Sequence, residues 1–153
     1  MALAADAARS GDVDTLDRAI VAGVPVNAST PRGDSLLMLA AYHGHVEAVR
    51  ALLARGADPN QTDVKGQTPL SGVAFKGLIA IADLLVSGGA RVDASGADRR
   101  TPLMMAAAFN RVAMVEWLLA HGASAEACDV GGLRAIDVAS AMGAVDVVAV
   151  LSR

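Results

Sequence analysis

Three histidines, one cysteine and scattered serines and aspartates are the side chains of this 153-residue chain that could do chemistry. His43 and His45 lie two positions apart, and His121 lies much further along the chain. Two imidazoles could begin a metal site, but no carboxylate or thiol stands at ligand spacing from this pair. If the pair flanks a turn at Gly44, the two rings point apart. We therefore expect no metal site.

Covalent and phosphate chemistry have no motif to support them. No serine stands in the strained strand-to-helix turn that exposes a nucleophile. Gly88-Gly89 and Gly131-Gly132 lack the spacing and the following Lys-Ser/Thr of a phosphate-binding loop. The single cysteine, Cys128, excludes an internal disulfide and a multi-cysteine zinc site, and we expect it to be a small apolar filler. The sequence thus predicts no catalytic residue and no cofactor.

A period of 33 residues organises the chain and must position every side chain in it. Thr68-Pro69-Leu70 recurs as Thr101-Pro102-Leu103, and Gly89-Ala90 recurs as Gly56-Ala57 and Gly122-Ala123. Apolar residues between these signals follow helical spacing. A fixed period with its signals in constant phase predicts a row of stacked units, in which each unit buries its apolar face only against its neighbours.

With Thr-Pro-Leu opening one helix and Gly-Ala-Asp following the next, the unit resembles the ankyrin repeat. The resemblance covers nearly the whole chain. It implies an all-α solenoid of about five stacked helix-turn-helix units with short β-hairpin fingers along one edge. We expect a single domain over 1–153, with repeats at about 1–27, 28–60, 61–93, 94–126 and 127–153.

Local signals predict how the helices begin and end. Ser35, Thr68 and Thr101 are expected to cap the first helices of their repeats through their hydroxyl groups. Asn110 stands where the other repeats carry a turn glycine, and asparagine is the next residue most tolerant of positive φ. Asp137, at the start of a late helix, is expected to cap backbone amides rather than to act as an acid or base.

Gly72 departs from the repeat pattern in a way that weakens a helix. It replaces a helix-forming residue inside a helix, which costs about 1 kcal/mol of helix propensity. Irregular positions of this kind, Leu36, Gly72 and Arg134 among them, favour natural drift over a consensus design.

The informative positions are those that the repeat does not need for its core. The two residues before each turn residue are expected to face the concave side of the stack, and they are Arg9-Ser10, Tyr42-His43, Phe75-Lys76, Ala108-Phe109 and Ala141-Met142. Three of the four aromatic residues fall here. Aromatic residues, arginine and methionine are enriched where interfaces carry their binding energy. The candidate partner-binding residues are therefore Tyr42, His43, Phe75, Lys76, Phe109 and Met142 on the concave side, and Arg32, Lys65, Arg99 and Arg100 on the fingers.

The resemblance implies a non-enzymatic protein-interaction module whose partner is another protein, such as a toxin, an effector or an enzyme. Two alternatives remain open. The aromatic residues could simply cover helix ends within the stack. The protein could instead bind a small molecule or be an enzyme, which requires a concave pocket with convergent polar groups around His43 and Lys76.

Composition limits which other kinds of partner the chain is expected to bind. A formal net charge of −3 argues against general affinity for nucleic acid or anionic membrane. No apolar run reaches the roughly 20 residues of a membrane span, and no signal peptide is visible, so we expect a cytoplasmic protein. Basic charge that is almost all arginine favours a bacterial source.

The end of the chain leaves one further question. Val147 and Val150 have no following repeat to cover them, so either they turn inward or the last helix self-associates. Trp117, the fourth aromatic residue, is expected to pack on the neighbouring repeat.

Overall fold

The computed structural model describes residues 1–153, which form ten α-helices joined by short turns. The helices are α1 (Ala2–Ser10), α2 (Val13–Val21), α3 (Leu36–Tyr42), α4 (Val46–Ala54), α5 (Pro69–Lys76), α6 (Ile79–Ser87), α7 (Pro102–Ala108), α8 (Val112–Ala120), α9 (Ala135–Ala141) and α10 (Val145–Leu151). They pack in consecutive pairs, as the period predicts. Not one of them combines the length and apolar character that crossing a bilayer requires.

The pairs stack so that odd-numbered helices form one row and even-numbered helices form a second. The odd row packs more extensively, because alanines in constant phase let its backbones approach closely. Ala8, Ala41, Ala74 and Ala107 are all fully buried. Since one row is tighter than the other, we infer that the stack curves toward the odd helices, and we call the surface on that side the concave face.

The core runs along the whole stack instead of filling one centre. Leu37, Leu70 and Leu103 lie one period apart and are at most 1% exposed. Burying a leucine stabilises a fold by roughly 1.5–3 kcal/mol. Each of these leucines is buried by the adjoining pairs, so the stability of one unit depends on its neighbours.

The predicted hydroxyl caps of the odd helices are confirmed. The side-chain oxygens of Ser35, Thr68 and Thr101 accept hydrogen bonds from backbone amides three residues on, at 3.1, 3.3 and 3.3 Å. Pro69 and Pro102 occupy the first helical position, where no amide hydrogen is needed. These caps fix the residue at which each of these helices begins. They therefore also fix which of the following side chains face the core.

The left-handed conformation predicted for Asn110 is also confirmed, with a φ of 56°. Its side chain adds a contact that a glycine could not make. The amide oxygen accepts from the backbone N–H of Val147 at 3.1 Å, and Nδ2 donates to Asp146 Oδ2 at 3.0 Å. Val147 is in the first turn of α10, a helix without a side-chain cap of its own. Asn110 therefore caps the next pair's second helix from outside.

Two aspartates cap helices, and the hydrogen bonds that they accept there lower their pKa values. Asp12 accepts from the Thr15 hydroxyl at 2.6 Å and from the Thr15 amide at 3.1 Å, and these bonds lower its pKa. Asp137 accepts from the Arg134 amide at 2.9 Å and from its Nε at 3.3 Å. The backbone bond, followed by the side-chain bond and the nearby positive charge, lowers the pKa of Asp137, and the same pairing raises the pKa of Arg134. Asp137 is a cap, as predicted.

The expected β-hairpin fingers are not β-hairpins. The only strand-like pairing is a single bridge between Ser29 and Ser35. The projecting segments are tight turns at 30–34, 63–67, 96–100 and 129–133, which we call the finger turns. In the second, Asp63 Oδ1 accepts from the amides of Lys65 and Gln67 at 2.8 and 2.9 Å. An aspartate that satisfies these amides turns the chain back before a strand ladder can extend.

The fourth finger turn, 129–133, is built in the same way. Its carboxylate, Asp129, is buried and accepts from the amides of Gly131 and Leu133 at 2.8 and 3.0 Å. Cys128 beside it is exposed, so the prediction of an apolar filler there is wrong.

The last helix turns its apolar side inward. Val147 is fully buried and Val150 is 8% exposed, which settles the choice left open by the sequence. These two valines therefore offer no apolar surface for self-association through α10. Trp117 is partly buried, packs against the core and stacks on His121 with ring centroids 3.8 Å apart. Trp117 is thus covered within the stack, and its packing on the neighbouring repeat stays a prediction.

We expect Asn110→Gly to destabilise the fold by about 1 kcal/mol, because it keeps the left-handed turn but loses the bonds to α10. Asn110→Ala loses the bonds and also places a Cβ in the left-handed region, for a total of about 2 kcal/mol. Urea unfolding of the three proteins measures both steps. Equal stability of wild type and Asn110→Gly would show that the cap contributes nothing.

Acid should weaken the fold partly through Asp12 and Asp137. Because their folded pKa values are depressed, their stabilisation is complete above the usual pKa of a free carboxyl group and is lost as pH falls through the folded value. Replacing both with asparagine keeps the cap shape and removes the titration. We expect the urea midpoint of this double variant to fall less steeply between neutral and acidic pH. The control is Asp83→Asn, an exposed carboxylate without a hydrogen-bond partner, which should leave the wild-type slope unchanged.

Candidate interaction face

Three aromatic rings lie together on the concave face, at the carboxyl ends of the odd helices. The rings of Tyr42 and Phe75 are nearly parallel, with centroids 6.4 Å apart and an interplanar angle of 13°. Phe75 and Phe109 meet edge to face at 4.4 Å and 81°. Tyr42 and Phe109 remain 42% and 43% exposed, while Phe75 between them is partly buried. We call these three residues the aromatic row.

The row is held in place before any partner arrives. Edge-to-face and offset aromatic pairs are each worth about 0.5–1.5 kcal/mol beyond the area they bury. Each ring comes from a different helix pair, so the spacing of the row is set by the stacking of the pairs. A preformed surface of this kind loses little conformational entropy on binding.

Lys76 fixes the first ring of the row. Its Nζ donates to the backbone oxygen of Tyr42 at 2.7 Å and lies 4.2 Å from the centre of the Tyr42 ring. The oxygen belongs to the last turn of α3, where the helix dipole favours a cation. The cation–π contact adds about 0.5–1 kcal/mol at an exposed site. The ammonium group of Lys76 is thus already engaged within the stack.

This contact is one of a series that sequence reasoning missed. At the ends of α3, α5 and α7, a side chain at or just after the helix donates to a carbonyl at the end of the preceding odd helix. The acceptors lie 33 residues apart. The pairs are His45 Nε2 with Arg9 O at 2.7 Å, Lys76 Nζ with Tyr42 O at 2.7 Å, and Arg111 Nε with Phe75 O at 2.9 Å. The donors are three residue types, and Lys76 does not share the repeat position of His45 and Arg111, which lie two periods apart, so no recurring residue type marks the series.

A second series joins the loops that precede the finger turns. The side chains of Asn27, Asn60 and Asp93 each accept from a backbone amide 31 residues further on, at 2.8, 2.9 and 3.2 Å. Here a sequence signal existed, because Asn, Asn and Asp recur at the 33-residue period. Together the two series brace both ends of each odd helix against the next pair.

The three histidines bind separate backbone carbonyls and do not meet. His43 Nδ1 lies 2.9 Å from Leu39 O, His45 bonds to Arg9, and His121 Nδ1 lies 2.7 Å from Trp117 O. No group of three or more His, Cys, Asp or Glu side chains is placed to hold a metal ion. His43 also meets Tyr42 edge to face at 5.6 Å, which places it at the border of the aromatic row.

The finger turns carry unpaired positive charge. Arg32, Lys65, Arg99 and Arg100 are all exposed, and none of them forms an ion pair. Asp63, by contrast, bonds its own turn amides, as does Asp98 Oδ1, which accepts from the amide of Arg100 at 3.0 Å. The finger turns therefore present exposed cations that form no ion pair, beside carboxylates that are bonded to the amides of their own turns.

Two further predicted residues extend the face. Met142 is 57% exposed and lies one period after Phe109. Arg99 adopts a left-handed φ of 57°, at the position where the neighbouring finger turns carry glycine. This conformation fixes where the tip of the third finger turn points.

A cleft of about 420 Å³ opens between the aromatic row and the first two finger turns. His43 lines it and Lys76 does not. A small-molecule site of the kind considered above would require one pocket lined by both His43 and Lys76. This cleft is not such a pocket.

Comparison with known proteins gives one match. A family model described as "Ankyrin repeats (3 copies)" matches residues 4–96 and again residues 72–153. The two matches overlap and together run from residue 4 to residue 153. No curated protein matches the chain.

Lys76→Met should lower the free energy of unfolding by about 1 kcal/mol, because methionine keeps the apolar stem and loses the cation–π contact and the bond to Tyr42 O. The matched control is Lys65→Met, an exposed lysine without an ion pair or cation–π contact, which should change stability by less than about 0.5 kcal/mol. Urea unfolding checks both. Equal losses in the two variants would contradict the role given to Lys76.

Proposed function

Because the chain belongs to the ankyrin repeat family, whose members are generally protein–protein interaction modules, we propose that it is a non-enzymatic module that binds a partner protein along the concave face and the finger turns. Family membership alone does not identify a binding surface, since one fold hosts many functions. The proposal therefore depends on the side chains that this chain places on its concave face.

The observation that carries the proposal is the exposure of the aromatic row. Tyr42 and Phe109 each leave more than two-fifths of their surface in solvent, although the fold offers buried positions nearby. Aromatic side chains held rigidly at a surface are typical anchors of protein interfaces. The three rings and Met142 supply an apolar strip that a partner can cover.

The finger turns add charge to one side of this strip. Arg32, Lys65, Arg99 and Arg100 have no acidic partner within the chain, so their positive charge is available to another molecule. Complementary charge at the border of an interface mainly raises the rate of association and selects among partners. The partner that fits is a protein with an apolar contact surface bordered by charged residues.

Replacing the aromatic row should remove binding while the fold persists. We expect the triple variant Tyr42→Ala, Phe75→Ala, Phe109→Ala to lose at least about 2 kcal/mol of binding free energy, which is a Kd about 30-fold higher, because anchors at the centre of an interface dominate affinity. The partner is first isolated from the source organism with the wild-type chain. Its affinity is then measured by titration calorimetry, and circular dichroism verifies the helix content of the variant.

The matched control is the pair Val21→Ala and Val145→Ala. These valines are 76% and 70% exposed and lie on α2 and α10, away from the aromatic row. The pair removes exposed apolar surface elsewhere and should leave affinity unchanged. A triple variant that binds as tightly as the wild type would exclude the aromatic row as the binding surface.

A further inference from the structure

The contact between the last two rings of the aromatic row does not follow from the repeat period. Phe109 stands at the repeat position of Lys76, and the position that holds Tyr42 and Phe75 is filled by Ala108 in the next pair. The rings of Phe75 and Phe109 nevertheless meet edge to face with centroids 4.4 Å apart. This contact therefore needs a cause other than the period.

The turn that carries Phe109 is tied to the carboxyl end of α5. Arg111 lies two residues after Phe109, and its Nε donates to Phe75 O at 2.9 Å. Between the two residues, Asn110 reverses the chain with a left-handed φ of 56°. The turn at 109–111 thus sends one side chain to the Phe75 ring and a second side chain to the Phe75 carbonyl.

The stem of Arg111 is held along its length as well as at its end. A Cβ built at Gly77 would lie 3.4, 3.8 and 3.9 Å from Arg111 Cδ, Cγ and Nε. Gly77 is the residue that ends α5, so the arginine stem crosses the end of that helix. A cation is favoured at this place, because the helix dipole leaves negative partial charge on the last carbonyls.

Comparison with the preceding pair shows what Arg111 supplies. There a single residue, Lys76, both donates to Tyr42 O and lies over the Tyr42 ring. Leu78, which shares the repeat position of Arg111, has no donor to offer. In the next pair the ring contact is made by Phe109, which cannot donate. The carbonyl bond is made by Arg111 instead.

We propose that Arg111 is a positioning residue of the aromatic row, whose bond to Phe75 O holds the turn at 109–111 so that the Phe109 ring rests on Phe75. The importance of Arg111 for binding rests on the proposed function, whereas the placement of the ring can be measured without a partner. A ring that is fixed before binding loses less conformational entropy when a partner covers it.

The placement is tested by nuclear magnetic resonance on the chain alone. The chain contains only two phenylalanines, so a nuclear Overhauser effect between two phenylalanine rings has one assignment. Protonated phenylalanine in a perdeuterated chain isolates this signal. We expect Arg111→Leu to lose the signal, because leucine is apolar and has no donor. Arg111→Gln should keep it, because the glutamine amide nitrogen lies as many bonds from Cα as the arginine Nε.

The consequence for binding is measured with the partner protein isolated by the wild-type chain. Arg111→Leu should raise the Kd at least about fivefold, and Arg111→Gln should stay within about twofold of the wild type. The control is Arg91→Leu, an exposed arginine whose side chain makes no hydrogen bond or ion pair, which should change neither the ring signal nor the Kd. Circular dichroism verifies that each variant keeps its helix content.

The contrary results separate this proposal from the proposed function. A ring signal that survives Arg111→Leu would overturn the positioning role and leave the proposed function standing. Loss of the signal in both Arg111→Leu and Arg111→Gln would show that the bond to Phe75 O is not what holds the ring. Loss of the signal in Arg111→Leu alone, with no change in Kd, would uphold the positioning role and remove the Phe109 ring from the binding surface.

Discussion

Each helix pair of this protein buries its apolar side only against the pairs before and after it, and everything else in the structure depends on that constraint. Leu37, Leu70 and Leu103 are buried because each meets a neighbour of identical phase. The same phase brings Lys76 to the Tyr42 carbonyl and Arg111 to the Phe75 carbonyl. A side chain that the core does not use therefore has an equivalent one period away, on the same surface.

That regularity explains how a row of stacked repeats presents a defined surface. The rings of Tyr42, Phe75 and Phe109 come from three helix pairs, yet they touch because the pairs stack at a fixed spacing. The chain departs from the pattern at Gly72, where a glycine stands inside α5 beside the Tyr42 ring and lowers helix stability.

Much of this could be predicted from the sequence, because the signals involved are local. Thr68, Pro69 and Asn110 act through their own backbone, so residue type alone was sufficient to predict the caps and the left-handed turn. The alignment of Tyr42 with Phe75 followed from the period, while Phe109 lies one position later in its repeat and its contact with Phe75 did not. The finger turns were mistaken for β-hairpins, because the aspartate that closes a turn such as 63–67 looks the same in either structure. Cys128 was wrongly placed inside.

Other features required coordinates because they join different residue types across the stack. The donors His45, Lys76 and Arg111 are three residue types, and Lys76 does not share the repeat position of the other two, while their acceptors lie one period apart. Asn110 was recognised for its conformation, while its bond to Val147 was not foreseen. Gly72 could be seen as a weak point in a helix, but the cleft beside it depends on where the Tyr42 ring and the finger turns lie.

The central claim, that equal phase builds one continuous docking strip, is tested most directly by hydrogen–deuterium exchange of the chain with and without its bound partner. The account predicts that binding slows exchange at the carboxyl ends of α3, α5 and α7 and in the first three finger turns. Exchange in α2, α4 and α6 should not change. Protection confined to the even-numbered helices, or to a single helix pair, would contradict it.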